Sequence, residues 1–476
     1  MTRRWPALLV IVAVLGALVA LGVDRDDTET VRFGRAESQP MPEADPPAAL
    51  TSTWYCAGGT AAPDGFANLA VVVANLGETR RKGSVTWFPS GTDATPVSVD
   101  LSVGPQATTS VAALDTLQAP VVSALVELDG GEVAVEHAVS GPRGSGVAPC
   151  ASEPSTHWYL ANGTTERDSR QVLALFNPFP DDTVVDITTS TDEGRANPSK
   201  LQGLPVAAGT TTFVELGQFV RYRAVTAVSV VARTGRLVVD RIQVFDGTAG
   251  RQGEALALAA PEPAEVWYFP EGLWQDGVAE TWHVYNPTSE EAEVSLEIVP
   301  DAGDPPEPYD LTVPPRTQLV IPAGEDRVPK GVAHSSTIRS LNGIGVVAER
   351  EVDVRKPAPR RGWSSALGAP LAARTWVFPV GEANENTDEW IVAHNPGARP
   401  VQFSVYALAN GQRLAVEGLQ DLTIKAAERK AMRLGDHISR TPLPIVVVAT
   451  GDVAVERDAY AVGRTGVSTV IGIPAR

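Results

Sequence analysis

The sequence predicts an all-β chain: four tandem immunoglobulin-like antiparallel β-sandwich repeats after an N-terminal transmembrane helix. Three observations carry this. One set of landmarks recurs four times at nearly constant spacing. Within each unit, short apolar or alternating runs are separated by Pro, Gly, Asn and Asp, as strands joined by turns require. No amphipathic helix of useful length is legible after residue 23.

Each unit opens with an aromatic pair: Trp54-Tyr55, Trp158-Tyr159, Trp267-Tyr268 and Trp376-Val377, with Trp-to-Trp spacings of 104, 109 and 109 residues. An Asn turn follows at Asn75-Leu76, Asn177-Pro178, Asn286-Pro287 and Asn395-Pro396, which lie 21, 19, 19 and 19 residues after the Trp. A middle hairpin element reads Leu101-x-Val103, Leu204-x-Val206, Leu311-x-Val313 and Leu422-x-Ile424. Each unit closes with an acid–base pair: Glu136-His137, Asp240-Arg241, Glu349-Arg350 and Glu456-Arg457. The third unit shows the strand pattern best, with runs at 281–285, 293–299, 309–313, 318–321, 335–340 and 344–352. The implied boundaries are 53–154, 155–264, 265–373 and 374–476. A β-propeller fits this period poorly, because its blades are only about 40–50 residues long.

The landmarks have structural jobs. Asn before Pro ends a strand, since its side chain caps the turn and Pro lacks a ladder donor. The Trp fills a core or covers the joint between units. In the closing strand, Glu349 and Arg350 point to opposite faces. The Arg stem is expected to lie on apolar surface with its head at the rim.

Residues 1–23 read as a membrane anchor. Arg3 and Arg4 precede an uncharged run from Trp5 to Val23, which as a helix spans about 28 Å, close to the hydrocarbon core. The charges on either side place the N-terminus in the cytoplasm and the remainder outside, giving a single-pass membrane protein. A cleaved signal sequence, and so a secreted protein, is the alternative; its apolar region is usually shorter. Residues 24–52 hold seven acidic and three basic residues with four prolines and read as an extended linker.

The net charge of −18 over 476 residues argues against nucleic acid, which requires clustered Lys and Arg. No cofactor or metal is expected. The six histidines have no HExxH or comparable spacing, two cysteines do not make a zinc site, and no Gly-x-Ser-x-Gly elbow or phosphate loop occurs. No catalytic residue is assigned, and an enzyme is not expected. The acidic loop Gly381 to Trp390, with Glu382, Glu385, Asp388 and Glu389, offers oxygens that could bind calcium but lacks a calcium-loop spacing, so a solvated loop is the preferred reading. Among the tryptophans outside the opening set (Trp87, Trp274, Trp363 and Trp390), Trp274 is the candidate glycan contact, in a loop beside Asp276 and Gly277. Cys56 and Cys150 flank the first unit at equivalent edges and are predicted to form a disulfide, against the alternative of two buried free thiols. Closing a loop of that length would stabilise the unit by about 4–5 kcal/mol.

Trp-Tyr-Phe-Pro-Glu-Gly at 267–272, then Asn286-Pro287, then Val347-x-Glu349-Arg350, resembles tandem repeats of an actinobacterial family of membrane-anchored or secreted proteins of unknown function. The resemblance covers residues 54–476. It implies a cell-envelope location, no known activity and no catalytic residues to transfer. Three functions are weighed. The first is a non-enzymatic envelope scaffold or interaction protein, a membrane-anchored rod of sandwiches meeting envelope proteins. The second is a binder of cell-wall glycan, favoured by exposed aromatics beside Asn, Asp or Glu. The third is an accessory subunit of an envelope enzyme, favoured by a deep pocket with a perturbed carboxylate.

Overall fold

Alternation in the sequence becomes alternation in burial. In Thr51–Cys56, Ser52, Trp54 and Cys56 point inward while Thr51, Thr53 and Tyr55 are more exposed. A computed structural model describes residues 39–475 apart from 92 and 93. Among the described residues the chain is all-β with several antiparallel sheets, and its helical elements are single 3-10 turns.

The strand order recurs along the chain. In the first stretch one sheet runs Thr51–Cys56, Val122–Asp129, Arg81–Pro89, Val97–Val103; the other runs Ala107–Ala112, Asn68–Asn75, Val133–Gly141, Gly144–Pro149. The third stretch repeats both orders: Val266–Phe269, His334–Ser340, Ala292–Pro300, Tyr309–Val313, and Gln318–Pro322, Val278–Tyr285, Val347–Val354, Gly362–Leu367. In the second stretch one sheet again runs Thr210–Glu215, Ser169–Asn177, Val238–Asp246, Gln252–Leu258. In the last stretch the two sheets merge, because the 17-residue strand Ile445–Ala461 serves both.

Four large apolar cores accompany these stretches, around Trp54, Trp158, Trp267 and Trp376. Three of these indoles also donate to a backbone carbonyl: Trp158 to Leu237, Trp267 to Val346 and Trp376 to Val453, at 2.7–2.8 Å. Truncating any one to Ala would cost about 3–5 kcal/mol. The Asn turns are buried pins. Asn286 Nδ2 donates to Val313 O at 2.9 Å, and its Oδ1 accepts from Thr288 N at 3.0 Å. Asn75, Asn177 and Asn395 make the equivalent bonds, to Val103 O, Val206 O and Ile424 O and from Gly77 N, Phe179 N and Gly397 N.

Three expectations are corrected. The stretches do not form a rod. The closing strand Gly144–Pro149 packs on Gln252–Leu258, that on Gly362–Leu367, that on Val467–Ile471, and the last returns to Gly144–Pro149, so the series closes on itself. Glycine makes the close approach feasible: a Cβ on Gly253 would stand 2.8 Å from Trp363 N, and one on Gly362 2.7 Å from Val467 N. Secondly, the linker expected over 24–52 is packed from residue 39 onward, where described. Met41 and Ala44 are buried, and Ala44 N donates to Pro474 O at 2.9 Å. Thirdly, the anchor expected over 1–23 lies outside the described residues, and among the described residues no helix is long and apolar enough to cross a membrane. The single-pass localisation is therefore withdrawn.

Candidate functional site

Neighbouring residues of a strand face opposite ways, so an acid–base dipeptide can reach two different neighbours. The four closing pairs do this. His137 Nε2 lies 2.6 Å from Asp240 Oδ2, and Arg241 Nη1 lies 2.8 Å from Glu349 Oε2. Arg350 pairs with Glu456, and Arg457 Nη1 stands 3.5 Å from Glu136 Oε2. Each base meets the acid of the next stretch, and the last meets the first. All eight side chains are buried, so the arginine heads are not at a rim.

Backbone donors from the opening motifs complete three of the four junctions. Glu349 Oε1 accepts from Ala161 N and Asn162 N at 2.8 and 3.1 Å. Glu136 accepts from Val380 N at 2.7 Å, and Glu456 from Glu271 N at 3.3 Å. These are the residues three and four places after the opening Trp. Such hydrogen bonds offset the desolvation of the buried carboxylates. Even so, burial pushes Glu136 and Asp240 above the usual carboxylate range, despite the base beside each.

The first junction carries His137 where the others have Arg. Cys56 and Cys150 form a disulfide there, with Cα atoms 4.6 Å apart. Cys150 Sγ lies 3.3 Å from His137 Nδ1. The two sulfurs and the imidazole are close enough to hold a metal ion, but the sulfurs are bonded to each other.

Beside each basic residue is a corner set by one cross-strand pair. The pair is Leu69–Val139 in the first stretch, Gln171–Gln243 in the second, Glu280–Val352 in the third and Glu389–Ala459 in the fourth. The second corner is filled: Gln171 accepts from Thr226 Oγ1 at 2.7 Å, Gln243 accepts from Thr164 N at 3.2 Å, and Phe245 meets Trp363 edge-on at 4.8 Å. In the third, Glu280 is ion-paired with His334 at 3.0 Å and Arg350 at 3.6 Å. Burial works against the Glu280 carboxylate, but His334 and Arg350 hold it below its usual range. A cavity of about 160 Å³ lies next to it, lined in part by Glu271, Arg350 and Tyr460.

The fourth corner is open. Ala459 and Ala461 stand where the second stretch has Gln243 and Phe245, and Ser145 faces them across the junction. The cavity left is about 220 Å³. Its floor holds buried Glu389 and Arg457; Arg464, Thr441 and Pro442 are exposed at its mouth. Glu389 Oε2 accepts from Glu382 N at 2.9 Å, while Glu389 Oε1 and Arg457 Nε and Nη1 make no hydrogen bond among the described residues. Burial raises Glu389 to about 7, against the pull of Arg457. A carboxyl group there can exchange a proton near neutral pH, and the cavity is also lined by the Thr387 hydroxyl, which donates to the Glu382 carboxylate.

The other sequence candidates lie apart from this corner or are occupied. Trp274 is half-buried against the third core, and Trp87 and Trp363 are buried. Trp390 Nε1 donates to Asp388 Oδ1 at 3.1 Å, and Asp388 pairs with Arg360 and Arg433. Sequence reasoning missed the junction glycines Gly144, Gly253 and Gly362, although their even spacing of 109 residues was available. It also missed Gln171 and Glu280, each six places before the turn Asn, and it read the equivalent Glu389 as part of a solvated acidic loop, whereas Glu389 and Asp388 are buried.

Residues 130–356 match the profile of a family of unknown function (DUF5719). The match begins just before Val133–Gly141 and ends just after Val354, and it assigns no role to any residue. No curated protein matches the chain. Among solved structures, "Crystal Structure of Thermotoga maritima 1070" is similar at 20% identity and TM-score 0.21, over 23% of this chain and 95% of that one. A second, "Crystal structure of tetra-tandem repeat in extending region of large adhesion protein", aligns at 12% identity and TM-score 0.10, over 86% of this chain and 95% of that one. Scores this low carry no weight here.

Proposed function

We propose that the chain is a non-enzymatic scaffold or interaction protein of the cell envelope, built from four immunoglobulin-like sandwich repeats closed into one platform. The observation that carries this is the charge cycle. The buried acids and bases that recur in the sequence are engaged with one another between stretches, so they serve cohesion rather than chemistry. The Cys56–Cys150 disulfide supports work in an oxidising compartment. A closed platform holds surface loops in fixed relation, which suits binding by pre-organisation.

The raised carboxylate of Glu389 in its cavity keeps an accessory enzymatic role as the second reading. The test uses the purified full chain against identified envelope proteins and cell-wall glycan fractions, with hydrolase assays in parallel. A saturable complex with one of them and no turnover is expected. Turnover abolished by Glu389→Gln would contradict the scaffold reading.

A further inference from the structure

The internal repetition supplies its own control. Four equivalent corners sit beside four buried basic residues, and three of them are filled or ion-paired by the chain itself. The first pairs Leu69 with Val139 and is closed from across the joint by the buried Glu254, whose Oε2 would stand 2.9 Å from a Cβ on Gly141. The second is closed by Gln171, Gln243 and Phe245. In the third, His334 and Arg350 hold Glu280. The fourth combines a cavity of about 220 Å³ with two buried, oppositely charged side chains that have atoms left unpartnered among the described residues. Both Glu389 and Arg457 are 1% exposed, and both line the cavity. Burying a donor and an acceptor without partners is costly, so such a pair is expected to meet complementary atoms.

We propose that this corner is a binding site for a small zwitterion of the α-amino-acid type. The ligand carboxylate would lie on the Arg457 guanidinium, whose planar fork suits two carboxylate oxygens. The ligand ammonium would donate to Glu389 Oε1. Charge at the mouth follows the same division, with Arg464 and Glu382 each lining the cavity. Ala459, Ala461, Val380 and Val467 supply an apolar wall for a short aliphatic side chain. A neutral polyol would bring no charge to Glu389 or to the face of Arg457 turned away from Glu136, and a simple anion would face Glu389 and Glu382. Gly381 keeps the site open: a Cβ there would stand 2.7 Å from Glu389 Oε1. The proposal does not rest on the scaffold reading, since a platform can carry such a site or lack it.

The test is titration calorimetry of the full chain with glycine, L-alanine and D-alanine, with acetate, methylammonium and glycerol as partial mimics. At least one of the amino acids should bind, and each mimic should bind at least about tenfold more weakly. Two variants locate the site. Ala459→Val copies the residue of the third stretch and should abolish binding without lowering the melting temperature. Glu389→Gln keeps the shape and should weaken amino-acid binding about tenfold or more. The proposal is overturned if none of the amino acids binds, if glycerol or acetate binds as tightly, or if Ala459→Val binds like the parent.

Discussion

The Arg241–Glu349 and Arg457–Glu136 junctions use the same two side-chain types to different ends. At the first the ions are 2.8 Å apart, two backbone amides and the Ser365 hydroxyl reach the carboxylate, and Trp363 meets Phe245 in the neighbouring corner. At the second the ions are 3.5 Å apart, one amide reaches the carboxylate, and Ser145 faces Ala459 and Ala461 across a cavity. Volume makes the difference: an indole, a phenyl ring and two amides in one place, methyls and a hydroxyl in the other. A cycle of unequal units thus has a tight joint and a slack one, and the slack joint is the one where a ligand can act.

Removing one acid at each joint should show the largest contrast. Glu349→Ala leaves Arg241 charged, buried and unpaired, and should cost about 3–5 kcal/mol in urea unfolding. Glu136→Ala should cost clearly less, because Arg457 borders a cavity that water can enter. Equal losses would remove the distinction.

Glu254 sharpens the comparison through pH. It sits at the joint between the first two stretches, where a Cβ on Gly141 would stand 2.9 Å from its Oε2. Neither carboxylate oxygen has a hydrogen-bond partner among the described residues, and burial raises the group to about 8 from 4.5. A folded pKa above the unfolded one gives stability that is fully present below about 4.5 and is lost as pH rises through about 8. The parent should therefore weaken by a few kcal/mol between pH 5 and 8 from this group alone, and Glu254→Gln should flatten that part of the profile. An unchanged slope in the variant would show that Glu254 is solvated. Glu271 and Glu389, both raised to about 7 by burial, add to the same trend.

The smallest expected effect is a gain. Ala459→Val fills part of the slack joint and should stabilise by about 0.5–2 kcal/mol in thermal unfolding. The same enlargement at the tight joint, Ser365→Thr, should destabilise, since Ser365 is buried and its hydroxyl already bonds Glu349 at 3.0 Å. If both variants move in the same direction, the two joints do not differ in packing.

The recurrence of landmarks and the strand runs of the third stretch were legible, because alternation and turn residues act locally. Expected runs at 293–299 and 335–340 correspond to Ala292–Pro300 and His334–Ser340. The strand Gly362–Leu367 was not legible: Gly-Trp-Ser-Ser-Ala-Leu has no alternation of its own, and its burial comes from the neighbouring stretch. That strand type builds every joint, so the cycle was invisible. The acid–base dipeptides were found, but their partners lie about a hundred residues away, and spacing along a chain does not say which neighbour a face meets. The open corner was hidden for a related reason, since it depends on Ala459 and Ser145, which are unremarkable by themselves.

Closure of the four stretches on themselves is tested most directly by small-angle scattering of a monodisperse chain spanning Ser38–Arg476. A closed body of that length should give a radius of gyration near the compact scaling value, about 22 Å, with a single-peaked distance distribution. A value well above that, with the long tail of an extended series, would contradict the account.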